Sequence, residues 1–86
     1  MADNDAAVEL LRRTAATQAR VVGARHPATL RTRVSLGEAL ILVGGTSNIG
    51  EAHALFAECE AGQRALLDSE HPDLIKTRSL VATAHV

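Results

Sequence analysis

Apolar residues recur at helical spacing in four runs, each closed by a short stretch of Gly, Pro or polar residues. In the first run Val8, Leu11, Ala15 and Val22 fall near one stripe. Asp5 stands where an N-cap belongs, and Gly23 is placed to end the helix, which predicts a helix over 6–22. In the second, Pro27 opens the helix where its missing N–H costs nothing, so His26 becomes the approximate N-cap. Leu30, Val34, Leu36, Leu40 and Val43 then recur until Gly44-Gly45 stops a helix over 28–43.

The stretch "GGTSNIG" reads as a long turn, with Asn48 capping the third helix and Glu51 completing a capping box. Leu55, Phe56, Cys59, Leu66 and Leu67 line the buried side of that helix, over 49–67. Gly62 within it costs ~1 kcal/mol relative to Ala, which points to close packing. "SEHP" breaks the pattern again, and Pro72 starts a fourth helix over 73–86. The fold class that follows is all-α: about four helices in antiparallel hairpins, forming a single domain over 1–86.

The second and fourth runs open with nearly the same words. "GARHPATLRTR" occupies 23–33 and "DSEHPDLIKTR" occupies 68–78, an offset of 45 residues, 71 minus 26 for the histidines. The same shift pairs Ala7 with Ala52, Leu10 with Leu55, Gln18 with Gln63, Thr32 with Thr77, Arg33 with Arg78 and Ala39 with Ala84. Val21/Leu66, Leu30/Ile75 and Arg31/Lys76 pair conservatively. A helix, a turn and a helix matched against the same three elements is a duplication, and periods of about 20–50 residues mark repeat architectures.

Composition narrows the core and the partners. Hydrophobic residues make up 47% of the 86, but Phe56 is the lone aromatic, so Ala, Leu and Val must fill the interior, which suits closely packed helices. The net charge of -1, with basic residues scattered, leaves no footprint for nucleic acid or an anionic membrane. Cys59 is the lone cysteine and fits a reducing compartment. The acidic start lacks the basic region of a signal peptide, and "ALILV" at 39–43 is far short of the ~20 apolar residues of a membrane span. A cytoplasmic, soluble chain is expected.

Candidate chemistry is sparse. His26 and His71 lie one repeat apart, each before a proline, and read as turn residues. His53 and Cys59 are six apart on one helix and share no face, with no second His or Cys beside them, so no metal site is expected. Cys59 reads as a packed thiol. Glu58 and Glu60 diverge on a helix, and no Gly-rich phosphate loop or nucleophile–base set is present. The expectation is a protein that is not an enzyme and takes no cofactor.

"VVGARHPATLRTR" and "LLDSEHPDLIKTR" resemble the turn of the tetratricopeptide repeat, in the kinesin-light-chain-like variety common in bacterial proteins. "SLGEALILVGG" resembles the end of a first helix A, and "IGEAHALFAEC" the start of its helix B. In that pattern Leu36, Gly37 and Leu40 fall on packing positions of helix A, and Ile49, Ala52 and Phe56 on those of helix B. The resemblance implies a short right-handed solenoid in the order B-A-B-A. Two departures stand out: "GGTSNIG" is about three residues longer than the family's turn, and Val34-Ser35 and Ser79-Leu80 stand where paired asparagines are frequent.

What the resemblance implies for function is a protein–protein interaction module that docks a peptide or a partner helix on the concave, helix A face. Matching positions are Arg31, Val34, Glu38 and Ile41 from one repeat, and Lys76, Ser79 and Thr83 from the next. Val34 and Ile41 would supply apolar contact, and Arg31, Arg33, Lys76 and Arg78 orientation. Arg31 and Lys76 lie in the first turns of their helices, where positive charge opposes the macrodipole, so an acidic partner is one expectation. The simpler one, a solvated charge, is favoured by the small worth of exposed charges.

Two other functions stay open. Leu74, Ile75, Leu80 and Val81 on the fourth helix have no following helix to cover them in this sequence, which points to a self-associating scaffold, a homo-oligomer. Repeats of this kind also stand beside bacterial signalling or DNA-binding domains, which suggests a regulatory sensor.

Overall fold

The computed structural model describes residues 4–84, with side chains through Ala82. Four α-helices follow one another: α1 (Asn4–Val21), α2 (Pro27–Val43), α3 (Thr46–Leu66) and α4 (Pro72–Ala84). No strand occurs among the described residues. Each helix packs on the next along the chain, as short connections between helices dictate. Cross-links join alternate helices. Arg12 of α1 pairs with Glu51 of α3, while Arg31 and Glu38 of α2 pair with Asp73 and Lys76 of α4. The helices therefore form two layers, and the thinnest extent, 21 Å, is about two helix diameters of ~10–12 Å.

The duplication is built into the hydrogen bonds. His26 Nδ1 accepts from the Ala28 N–H at 3.0 Å, and His71 Nδ1 accepts from the Asp73 N–H at 3.1 Å. The His26 N–H donates to Gly23 O and that of His71 to Asp68 O. The N–H groups of Leu30 and Ile75 donate to the carbonyls of His26 and His71, both at 3.0 Å. Each of these pairs is related by the 45-residue shift. Both histidines thus cap their helices through a ring nitrogen, satisfying a first-turn donor that has no partner within the helix. Gly23 takes a φ of +111°, the positive value expected of a helix-ending glycine.

The second connection differs from expectation. The turn is Gly44-Gly45 alone, with φ of +85° and +94°, and α3 begins at Thr46 rather than at 49. Two consecutive glycines accept the positive φ values at no steric cost, so the chain reverses without using the following Thr-Ser-Asn. Gly45 is the N-cap and contributes no side-chain bond. Asn48 does not cap; its Nδ2 donates back to Gly44 O at 2.9 Å. Glu51 closes no capping box, because its carboxylate is bidentate to Arg12.

The core forms where the apolar faces of α2 and α3 meet. Leu30, Val34, Leu36 and Leu40 from α2 pack with Ala52, Leu55, Phe56 and Cys59 from α3, and Val8, Leu11, Leu80 and Val81 close the cluster from either side. Burying a side chain such as Phe56 or Leu40 contributes about 1.5–3 kcal/mol. Among the expected core residues Val22, Ile49 and Leu66 are exposed: Val22 lies just past α1, Ile49 in the first turn of α3 and Leu66 at its last position.

Candidate functional site

The expected partner face is the side on which α2 and α4 lie next to each other. Between them runs a cleft of ≈ 100 Å³, walled by Arg31 and Val34 of α2, by Asp73, Lys76 and Thr77 of α4, and floored by Gln63 of α3. Pro27 and Pro72 set the starts of α2 and α4 in equivalent places, so Arg31 and Lys76 occupy corresponding positions one repeat apart.

Most of the polar groups in this cleft are already engaged. Arg31 Nε donates to Asp73 Oδ2 at 3.0 Å, and Lys76 Nζ lies 3.2 Å from Glu38 Oε1. Thr77 Oγ1 donates to the Asp73 carbonyl at 2.9 Å, as Thr32 Oγ1 does to Ala28 in the preceding repeat. Two cations and two carboxylates along the rim balance one another. The positive charge near the starts of α2 and α4 therefore has a local partner and does not by itself point to an acidic ligand.

Gln63 is the exception. It is 1% exposed, and its Oε1 is buried with no hydrogen-bond partner. Among the described residues the same holds for just one other side-chain atom, Oε1 of Gln18, the 45-residue counterpart. A buried acceptor left unmade costs about 1–3 kcal/mol. Pairing Gln18 with Gln63 in the sequence marks the duplication, but nothing in the linear pattern tells that both amides face inward. Asp73 and Thr77 were also absent from the expected set; their place beside Arg31 emerges only when α4 docks on α2.

The other expected site residues are dispersed. Val34 belongs to the core at 3% exposure and offers a cleft wall rather than an apolar surface. Ile41 is partly exposed near the end of α2, and Ser79 is exposed on α4. The Thr83 side chain lies outside the described ones. Arg33 pairs with Glu58 at 2.8 Å, and Arg78 lies 3.8 Å from Glu60, so both orienting arginines have partners within the chain. On the expected self-association patch, Leu74 is 1% exposed, and Leu80 and Val81 pack against the core. Ile75 alone of the four stays half exposed, at 50%.

A larger depression of ≈ 390 Å³ lies between the α1–α2 turn, α2 and α3, lined by Ala24, Arg25, Leu30, Arg33, Glu58, Ala61 and Gly62. It contains neither of the unpartnered amides, and Arg33 and Glu58 there satisfy each other. Size does not make it the better site.

Reactive groups are quiet. Cys59 is fully buried against the Leu30 carbonyl, with its Sγ at 3.5 Å, and burial pushes its thiol up to about 11. Hydrogen bonding to Arg12 holds the Glu51 carboxyl below its ordinary range and raises the arginine in turn. Among the described residues no three His, Cys, Asp or Glu side chains gather to hold a metal ion, and no helix is long and apolar enough to cross a membrane. No family model, no curated protein and no solved structure matches the chain.

Proposed function

We propose that the chain is a tetratricopeptide-like interaction module that docks a peptide or partner helix along the α2/α4 face. The observation that carries this reading is the repeated hairpin itself. His26-Pro27 and His71-Pro72 cap α2 and α4 identically, so two equivalent helices present corresponding residues on one side. Between them lies a cleft floored by Gln63. Repeated helices laid side by side create extended surfaces suited to a linear segment. No group in the cleft is poised for proton transfer or nucleophilic attack, which favours binding over catalysis.

The test is selection of peptides from a displayed random library on the intact chain, followed by nuclear magnetic resonance mapping of a selected peptide. Perturbations confined to Arg31, Ile41, Lys76 and Ser79 support docking on this face. Perturbations elsewhere, or no selectable peptide, count against it.

A second reading, self-association, rests on Ile75. Its counterpart Leu30 is 2% exposed beneath Gly62 and Cys59 of α3, whereas Ile75 is half exposed. Sedimentation of the parent and of Ile75→Glu decides between them. A concentration-dependent mass abolished by the substitution supports self-association, and a constant monomer mass removes it.

A further inference from the structure

We propose that the outer face of α1 pairs with α1 of a second copy of this chain, the two helices running antiparallel about a two-fold axis. The inference goes beyond the docking reading, since it uses neither the α2/α4 face nor Ile75.

The duplication shows that this face is open. Leu55 of α3 is 8% exposed, whereas Leu10, its counterpart 45 residues earlier (55 minus 10), is 64% exposed. Glu58 and Gly62 of α3 face α2, against Arg33 and Leu30. Their counterparts on α1, Arg13 and Thr17, are exposed. The side of α1 that meets the core is the other one, which carries Val8 and Leu11. Val21, 73% exposed, lies 11 residues after Leu10 (21 minus 10), about three turns on, so the two share the outer stripe.

The charges choose the occupant and its direction. Along one flank of the stripe, α1 carries Asp5 and Glu9 towards its start and Arg20 in its last turn. Glu9 and Arg20 are also 11 residues apart (20 minus 9). Turning a second helix end for end therefore brings Leu10 to Val21 and Glu9 to Arg20 in one register, and the two-fold axis makes each contact twice. Both charges are available. Glu9 reaches Arg13 of its own helix at 3.6 Å with both side chains well exposed, and Arg20 has no ion-pair partner among the described residues. A parallel pair would instead set Glu9 against Glu9 and Arg20 against Arg20.

The repeat itself suggests a rival occupant, α4 of a second copy, which would lie on α1 as α2 lies on α3. The 45-residue shift argues against it. The Arg33–Glu58 pair would become Arg78 against Arg13, two cations. Gly62, where an added Cβ would stand 3.1 Å from Leu30, would become Thr17, with a whole side chain in that space. The α1 face is thus unsuited to a head-to-tail array and complementary to itself.

A single helix pair is a small interface, below about 1,200 Å² in total, so the dimer should dissociate at roughly 0.1 mM. Sedimentation equilibrium of the full chain from ~10 µM to ~1 mM is the test, and the mass is expected to rise to that of a dimer. Leu10→Lys, at an exposed position, is expected to stay monomeric with its helical circular dichroism intact. Glu9→Arg and Arg20→Glu should each weaken the dimer at least about tenfold. An equimolar mixture of the two, or the double variant, should recover it, which a defect inside one chain would not allow. A constant monomer mass over the whole range overturns the proposal, as does a dimer that Leu10→Lys leaves unchanged. A dimer lost with Ile75→Glu but kept with Leu10→Lys places the contact on α4 and overturns it too. Charge variants without effect, or a mixture that does not recover, reject the antiparallel pairing. Should Leu10→Lys unfold, the charge variants and their mixture decide.

Discussion

A methyl group placed on Gly37 would lie 2.5 Å from Cε1 of Phe56. The glycine in the middle of α2 is therefore the space into which the chain's lone aromatic ring fits, and the ring is buried at 1% exposure. The ring spans the α2–α3 interface, so the Gly37 position sets how closely those two helices approach.

Gly37→Ala should destabilise the fold although alanine favours helix by ~1 kcal/mol. Overpacking a tight core costs about 1–3 kcal/mol, and Phe56 has core on its other sides. The contrast is Gly62→Ala, whose new methyl would meet Leu30 Cδ1 at 3.1 Å, the movable end of a leucine. Urea unfolding should show Gly37→Ala lowered by on the order of 1–2 kcal/mol and Gly62→Ala within about 0.5 kcal/mol of the parent. Equal effects would mean that the ring does not dictate the approach.

The histidine caps should behave as exchangeable units. His26→Ala and His71→Ala each remove a side-chain acceptor from a helix start and should each cost roughly 1 kcal/mol. His26→Asn, which offers an oxygen to the same N–H, should restore most of it. Thermal unfolding of the three variants checks this, and an asparagine no better than alanine would show that the ring acts by packing instead.

Cys59 should resist alkylation in the native chain and react at once when it unfolds. Burial pushes its thiol up to about 11 from an ordinary value of 9.0. Below pH 9 the thiol is neutral in both states and its contribution to stability is fully present. As the pH rises from 9 towards 11 the unfolded chain ionises first, so that contribution is lost. Iodoacetamide labelling at neutral pH with and without urea, and unfolding curves on either side of pH 9, test both statements. Rapid labelling of the folded chain would contradict the burial.

The Arg31–Asp73 pair should be interchangeable in sign. Arg31→Asp alone sets two carboxylates against each other across α2 and α4 and should cost stability, though under about 1 kcal/mol for so exposed a site. Adding Asp73→Arg should recover it. The double variant keeps the fold while reversing the charge pattern of the cleft rim, so a docked peptide that reads those charges should bind it less well than the parent. Stability by urea and affinity by calorimetry separate the two effects.

Much of the architecture was legible in the linear pattern because its signals are local. Within a helical run Pro27 and Pro72 fit only the first turn, His26 and His71 stand one residue before them, and Leu30, Leu36 and Leu40 repeat at helical spacing. Where the reading failed, the cause was the use made of a turn or the place of a residue in the packing. The polar stretch after Gly45 looked like loop, yet Gly44 and Gly45 complete the reversal by themselves and α3 starts at Thr46. Ile49 and Leu66 carried the right side chains for a core, but they fall in the first turn and at the last position of α3 and stay exposed.

The sequence by itself determined that there are four helices in a duplicated arrangement, because turn residues, caps and apolar periodicity act within a few positions of one another. Only the tertiary structure decided what the α2/α4 face is made of. Docking α4 beside α2 neutralised Arg31 with Asp73 and Lys76 with Glu38, sank Val34 and Leu74 into the interior, and closed the cleft over Gln63 of α3. The physical reason is that pairing and burial depend on which side chains meet across elements, and a residue's own neighbours in the chain carry no record of that.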